Sequence, residues 1–193
     1  MKLIHVFLLA LSTLLATSFS PDDKTTATGY KPGDIARDFS LKNVDGKMVS
    51  LSGLRENRGV ILVFTCNHCP YSVAYEDRII KLHEDYAAQG YPVVAINSND
   101  AVAYPADSYE NMIERAQEKK FPFVYLHAQT AEIAKAYGAT RAPHVYILTR
   151  KDQQYEVSYI GAIDDNSNEP EMVQVKYVEL ALNSLLAGQP VTV

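Results

Sequence analysis

Gly59-Val60-Ile61-Leu62-Val63-Phe64 is an unbroken apolar run, rich in β-branched residues, that ends just short of Cys66. No alternate position in it is polar enough to face water, so it reads as a strand buried on both faces. From Pro70 to Gln89, Val73, Ile79, Ile80 and Tyr86 recur at roughly helical spacing, and Gly90 supplies a stop. Tyr91-Pro92-Val93-Val94-Ala95-Ile96 is a second buried strand. Two such strands joined by a helix form a βαβ unit, which needs a parallel sheet covered by helices on both faces.

The remaining pattern extends that sheet. Phe39-Ser40-Leu41 and Met48-Val49-Ser50-Leu51 flank Asp45-Gly46, a hairpin-turn signal. Ser52 to Asn57 reads as a short helix, and Ser108 as the cap of a helix from Tyr109 to Lys120. Phe123 to Leu126 is a third strand, and Thr130 to Tyr137 a helix stopped by Gly138. His144 to Leu148 and Tyr155 to Ile160 are strands joined by too short a turn for a crossover, so they pair antiparallel. Met172 to Leu186 is the closing helix. The result is an α/β fold with a central mixed sheet, helices on both sides and an N-terminal β-hairpin.

The chain has 193 residues, 47% of them hydrophobic, enough for one domain with a sizeable core. A net charge of −5 argues against nucleic acid or an anionic membrane surface as partner. Lys2 precedes an apolar stretch from Leu3 to Ala16 that would span roughly 21 Å as a helix, short of the ~30 Å hydrocarbon core. It reads as a signal peptide over residues 1–18, cleaved after Ser18. A flexible linker is expected over 19–32 and the folded domain over 33–189. The expected location is exported, periplasmic or otherwise extracytoplasmic.

Cys66 and Cys69 are the only cysteines. In an oxidising compartment a disulfide across two residues closes too small a loop to constrain the unfolded chain much, so a working disulfide is the better reading. Cys66 is expected to be the exposed nucleophile at a helix N-terminus, and Cys69, about one turn in, the buried resolving thiol. A protonated His68 between them would stabilise the Cys66 thiolate and make the pair more oxidising.

With the strand, the Cys-x-x-Cys helix start and a proline-initiated hairpin on the page, the chain resembles the thioredoxin-like superfamily. Gly33-Asp34-Ile35-Ala36-Arg37-Asp38-Phe39-Ser40-Leu41 is similar to the opening of redoxin and peroxiredoxin domains. Thr65-Cys66-Asn67-His68-Cys69-Pro70-Tyr71, the stretch Tyr104 to Met112, and Ala142-Pro143-His144-Val145 resemble the bacterial exported, peroxiredoxin-like (AhpC/TSA-type) branch. The resemblance covers Lys31 to Gly188. It implies a thiol–disulfide oxidoreductase acting on protein thiols and disulfides, with an upstream thiol redox partner, a membrane-bound one included. It also implies a cis Pro143, with Ala142 supplying backbone to an extended substrate. No cofactor and no metal is expected.

Two departures bear on this. The strand carries no acid to serve as base for the resolving thiol, and Thr65 stands where an aromatic residue is usual. A peroxiredoxin-like hydroperoxide reductase is the alternative, but its Pro-x-x-x-Thr/Ser-x-x-Cys signature falls on Gly59 and Val63. A copper- or zinc-binding redox chaperone is the lesser alternative, since His83, His127 and His144 form no evident ligand pattern.

Overall fold

The computed structural model describes residues 29–193; the signal-peptide reading and most of the linker lie outside these residues. The strands are β1 (Ser40–Asn43), β2 (Met48–Ser50), β3 (Gly59–Thr65), β4 (Val93–Asn97), β5 (Val124–His127), β6 (His144–Lys151) and β7 (Gln154–Gly161). The helices are α1 (Pro70–Tyr86), α2 (Tyr109–Lys119), α3 (Glu132–Tyr137) and α4 (Tyr177–Leu186). The seven strands form one sheet in the order β2-β1-β5-β4-β3-β6-β7. β3, β4 and β5 are parallel, while β1 pairs antiparallel with β5, β6 with β3, and β7 with β6. This is a thioredoxin-like α/β fold.

The alternation along β3 divides the core. Ile61 and Val63 face a cluster with Tyr75, Ile79 and Leu82 of α1, Met112 of α2, and Val178 and Leu182 of α4. Val60, Leu62 and Phe64 face the opposite cluster, with Ile133 and Tyr137 of α3 and Tyr155 and Val157 of β7. Each such side chain, fully removed from water, contributes about 1.5–3 kcal/mol, so β3 is firmly held from both faces. Gly59 opens it where nothing larger fits: an added Cβ would lie 2.2 Å from Tyr91 Cε1 and 2.4 Å from the Leu148 carbonyl oxygen.

Several boundaries differ from the sequence pattern. The closing helix begins at Tyr177, because Pro170–Met172 forms a separate 3-10 turn. α3 starts at Glu132 with Ala131 as its cap residue rather than Thr130. The last residues of the expected linker are packed: the Tyr30 amide donates to the Tyr137 carbonyl (3.1 Å) and their rings meet edge to face. Asp164 reads as part of a solvated loop, yet it is buried, accepting from Tyr75 Oη (2.8 Å) and Arg78 Nη1 (2.7 Å).

Candidate active site

The sheet topology assembles the site at one edge. β3 and β4 end together, with Thr65 opposite Asn97, so both loops leave from the C-terminal edge of the parallel strands. β6 runs the other way and opens opposite Phe64, which brings the Ala142–Pro143 peptide to the same edge. That peptide bond is cis. Cys66 leaves β3, Asn67 and His68 bend, and Cys69 caps α1 with an extended backbone (φ −68°, ψ 122°). Pro70 at the first helical position explains this start: its fixed φ suits a helix opening, and it disfavours helical backbone in the residue before it.

The structure therefore reverses the expected exposure of the two thiols. Cys66 is buried, with 4% of its surface accessible, because it continues a strand covered on both sides. Cys69 is half-buried, since it precedes α1 instead of lying one turn inside it. Burial pushes the Cys66 thiol up to about 11, against the hydrogen bond from Ser72 and the Cys69 amide, which oppose the rise. Its Sγ lies 3.5 Å from Ser72 Oγ, whereas Cys69 Sγ lies 3.5 Å from the Ala142 carbonyl oxygen. Cys66, His68 and Cys69 thus share one loop, and Ala142 and Pro143 join it through Cys69.

The sequence pattern does not single out Asp107, yet this residue organises the loop. It is fully buried and lies just before α2. Its Oδ1 accepts from the Asn67 amide (2.7 Å) and Asn97 Nδ2 (3.0 Å). Its Oδ2 accepts from Asn99 Nδ2 (2.8 Å) and pairs with His68 Nδ1 (2.6 Å). Four partners fill the lone-pair positions of a carboxylate, so His68 Nδ1 carries a proton towards Asp107 and the other ring nitrogen is left free. Tyr104 stacks on the imidazole at 5.0 Å, and Tyr125 Oη donates to Asn67 Oδ1 (2.8 Å). The strand before the cysteines has no acid, and one from the loop after β4 stands beside the cysteine loop instead. The signal for it was the polar run Asn97-Ser98-Asn99-Asp100 closing a buried strand; its link to Asn67 spans forty residues.

Ligand atoms of Cys66, His68 and Asp107 lie within 4.8 Å of one another, a spacing compatible with a metal. A cation would have to displace donors that Asp107 already accepts. His144 is buried on β6 with Nδ1 3.4 Å from Tyr146 Oη, and His83 Nδ1 accepts from the Val93 amide (3.2 Å).

A βαβ core with a cysteine pair at its C-terminal edge, facing an X–Pro peptide that opens an antiparallel hairpin, defines a redoxin-type oxidoreductase of the thioredoxin-like superfamily. Residues 32–159 match the AhpC/TSA family, and the chain belongs to it. Over 176 residues it is 23% identical to the thiol-disulfide oxidoreductase ResA of Halalkalibacterium halodurans, covering 91% of this chain and 93% of that one. An uncharacterized conserved protein from Geobacillus kaustophilus superposes with a TM-score of 0.78 at 38% identity, covering 86% of this chain and 87% of that one. Peroxidoxin BcpB from Mycobacterium tuberculosis shares the fold, with a TM-score of 0.60 at 17% identity over 81% of this chain and 94% of that one.

Proposed function

We propose that this protein is an extracytoplasmic thiol–disulfide oxidoreductase that cycles Cys66 and Cys69 between dithiol and disulfide, exchanging with protein thiols. An upstream thiol partner resets the pair. The observation that carries this reading is the convergence of both thiols with the Ala142–Pro143 peptide, with Cys69 Sγ 3.5 Å from the Ala142 carbonyl oxygen. An extended substrate strand laid along that backbone would bring its sulfur to the pair. Exposed Tyr71 and Tyr104 border the same loop and offer apolar surface to a protein segment. His68 tunes the pair from between the cysteines. The apolar N-terminal stretch from Leu3 to Ala16, read as a cleaved signal, supports action outside the cytoplasm.

The peroxidase signature has no counterpart counted from either cysteine: from Cys66 its proline position is Gly59, sealed by Tyr91 and Leu148, and its hydroxyl position is Val63 in the core, and from Cys69 the two positions are Leu62 and Cys66. The test is insulin reduction by the full chain beside its Cys66→Ser and Cys69→Ser variants. Loss of activity in both variants is expected. Wild-type protein that reduces no protein disulfide yet turns over hydroperoxide would refute the reading. A reduction potential near about −120 mV would place the protein as a disulfide donor, and one near about −270 mV as a reductant.

A further inference from the structure

We propose that Cys69 is the sulfur that meets the substrate, and that Cys66 resolves the mixed disulfide from behind it with His68, held by Asp107, carrying its proton. This order presupposes the exchange chemistry proposed above and reverses the one that the bare Cys-x-x-Cys spacing suggests.

Three independent observations favour it. The first is access: Cys69 is half-buried while Cys66 is 4% exposed. A bulky protein disulfide cannot approach a sulfur sealed at the end of β3. The second is facing. Cys69 Sγ, not Cys66 Sγ, contacts the Ala142 carbonyl oxygen where an extended substrate would dock. The third is the helix terminus. Cys69 is the cap residue of α1, which runs for 17 residues. Pro70 has no N–H, and the Val73 amide is bonded to the Cys69 carbonyl oxygen (3.0 Å). The Tyr71 and Ser72 amides thus remain to face the negative charge that develops on the Cys69 sulfur.

Cys66 has what a resolving thiol needs. The Cys69 amide and the Ser72 hydroxyl both point to its sulfur. A ring nitrogen of His68 and an oxygen of Asp107 lie within 4.8 Å. Its high proton affinity makes a base necessary, and the neighbouring His68 imidazole, anchored through Nδ1 on a fully buried carboxylate, is the group placed to supply one.

The steps balance. The Cys69 thiolate attacks a substrate disulfide, a bond from Cys69 to one substrate sulfur forms, the substrate S–S bond breaks, and the other sulfur leaves and takes a proton from solvent. Cys66 then gives its proton to His68, and its sulfur attacks the Cys69 sulfur. The internal disulfide forms, the mixed disulfide breaks, and the second substrate thiol departs with the proton from His68. The substrate disulfide is reduced by two electrons and the Cys66–Cys69 dithiol is oxidised. Oxidation of substrate thiols runs the same steps backwards.

The test follows thiol release from a chromogenic aromatic disulfide by the reduced full chain. Wild type should release two equivalents in two phases. Cys66→Ser should release one and retain a stable adduct on Cys69, located by peptide mass. Cys69→Ser should react about ten-fold slower or more, as suits a sealed thiol. His68→Gln should slow the second phase about ten-fold or more and alter its pH profile, a larger effect than on the first phase. An unchanged second phase in His68→Gln overturns the proton role. As a check that needs no substitution, limiting iodoacetamide on reduced wild type should label Cys69 first. An active wild type labelled first at Cys66, or a Cys69→Ser variant that traps the adduct at the wild-type rate, overturns the order alone. A wild type that never forms the internal disulfide overturns the oxidoreductase reading itself.

Discussion

Removing the Asp107 carboxylate should cost the fold several kcal/mol, although it lies in a loop. In Asp107→Ala, four donors lose their acceptor: the Asn67 amide, Asn97 Nδ2, Asn99 Nδ2 and His68 Nδ1. They do not suffer equally. The His68 side chain is 37% exposed and can turn to water, and Asn99 is only part-buried. Asn97 is fully buried, and the part-buried Asn67 donor is a backbone amide, which cannot turn to water as a side chain can. Two donors stranded at about 1.5–2 kcal/mol each give roughly 3–4 kcal/mol. With a urea slope of about 2 kcal/mol per molar, the midpoint should fall by roughly 1.5–2 M at unchanged slope. Asp107→Asn keeps one acceptor oxygen but turns an NH2 towards donors, so it should lose about half as much. Equilibrium urea unfolding followed by circular dichroism reads both. A midpoint drop under about 0.5 M for the alanine variant, or a larger drop for asparagine than for alanine, would refute the accounting.

Other consequences are as direct. His144 is buried and its imidazole is held down to about 4, first by desolvation and then by Arg141; Tyr146 is its hydroxyl neighbour. In the unfolded chain it protonates near its usual 6.5, so between pH 6.5 and 4 the unfolded state binds more protons. Stability should be fully present above pH 6.5 and decline as pH falls towards 4, and His144→Gln should flatten that slope in urea titrations at stepped pH. Gly59→Ala should lower the melting temperature by several degrees through the Tyr91 and Leu148 clash, worth about 1–3 kcal/mol; unchanged melting would show that β3 shifts freely. Gly138→Ala faces the Gly29 Cα at 2.4 Å from a left-handed φ of 75°. It should loosen the Gly29–Tyr30 segment, read as faster amide exchange at Tyr30, whose bond to Tyr137 would be lost. Asp164→Ala strands the Arg78 guanidinium and the Tyr75 hydroxyl and should cost about 2–4 kcal/mol in the same urea assay.

The elements were legible wherever the signal was local. The apolar run before Cys66, the Pro70 helix start, the Asp45-Gly46 turn and the Ser108 cap all appear in the structure where the sequence pattern puts them, the last with Ser108 Oγ accepting from the Asn111 amide. Each depends on neighbours within a few residues. The closing helix was overextended because the Pro170 turn and the extended residues after it are apolar enough to mimic helical spacing. Asp164 was misplaced because its partners, Tyr75 and Arg78, come from a helix some ninety residues earlier.

The amino-acid sequence alone determined that this chain carries one thiol pair, at the junction of a doubly buried strand and a helix, on a sheet that brings Pro143 into the same domain. Covalent spacing and side-chain period suffice for that. Only tertiary structure decided which thiol is sealed and which is half-open, and which acid lies beside their loop. Burial at Cys66 depends on layers packed above and below β3, and Asp107 reaches Asn67 only because β4 runs parallel beside β3 and returns its loop to the same edge. Such proximities are set by the sheet's order, which no local window of residues encodes.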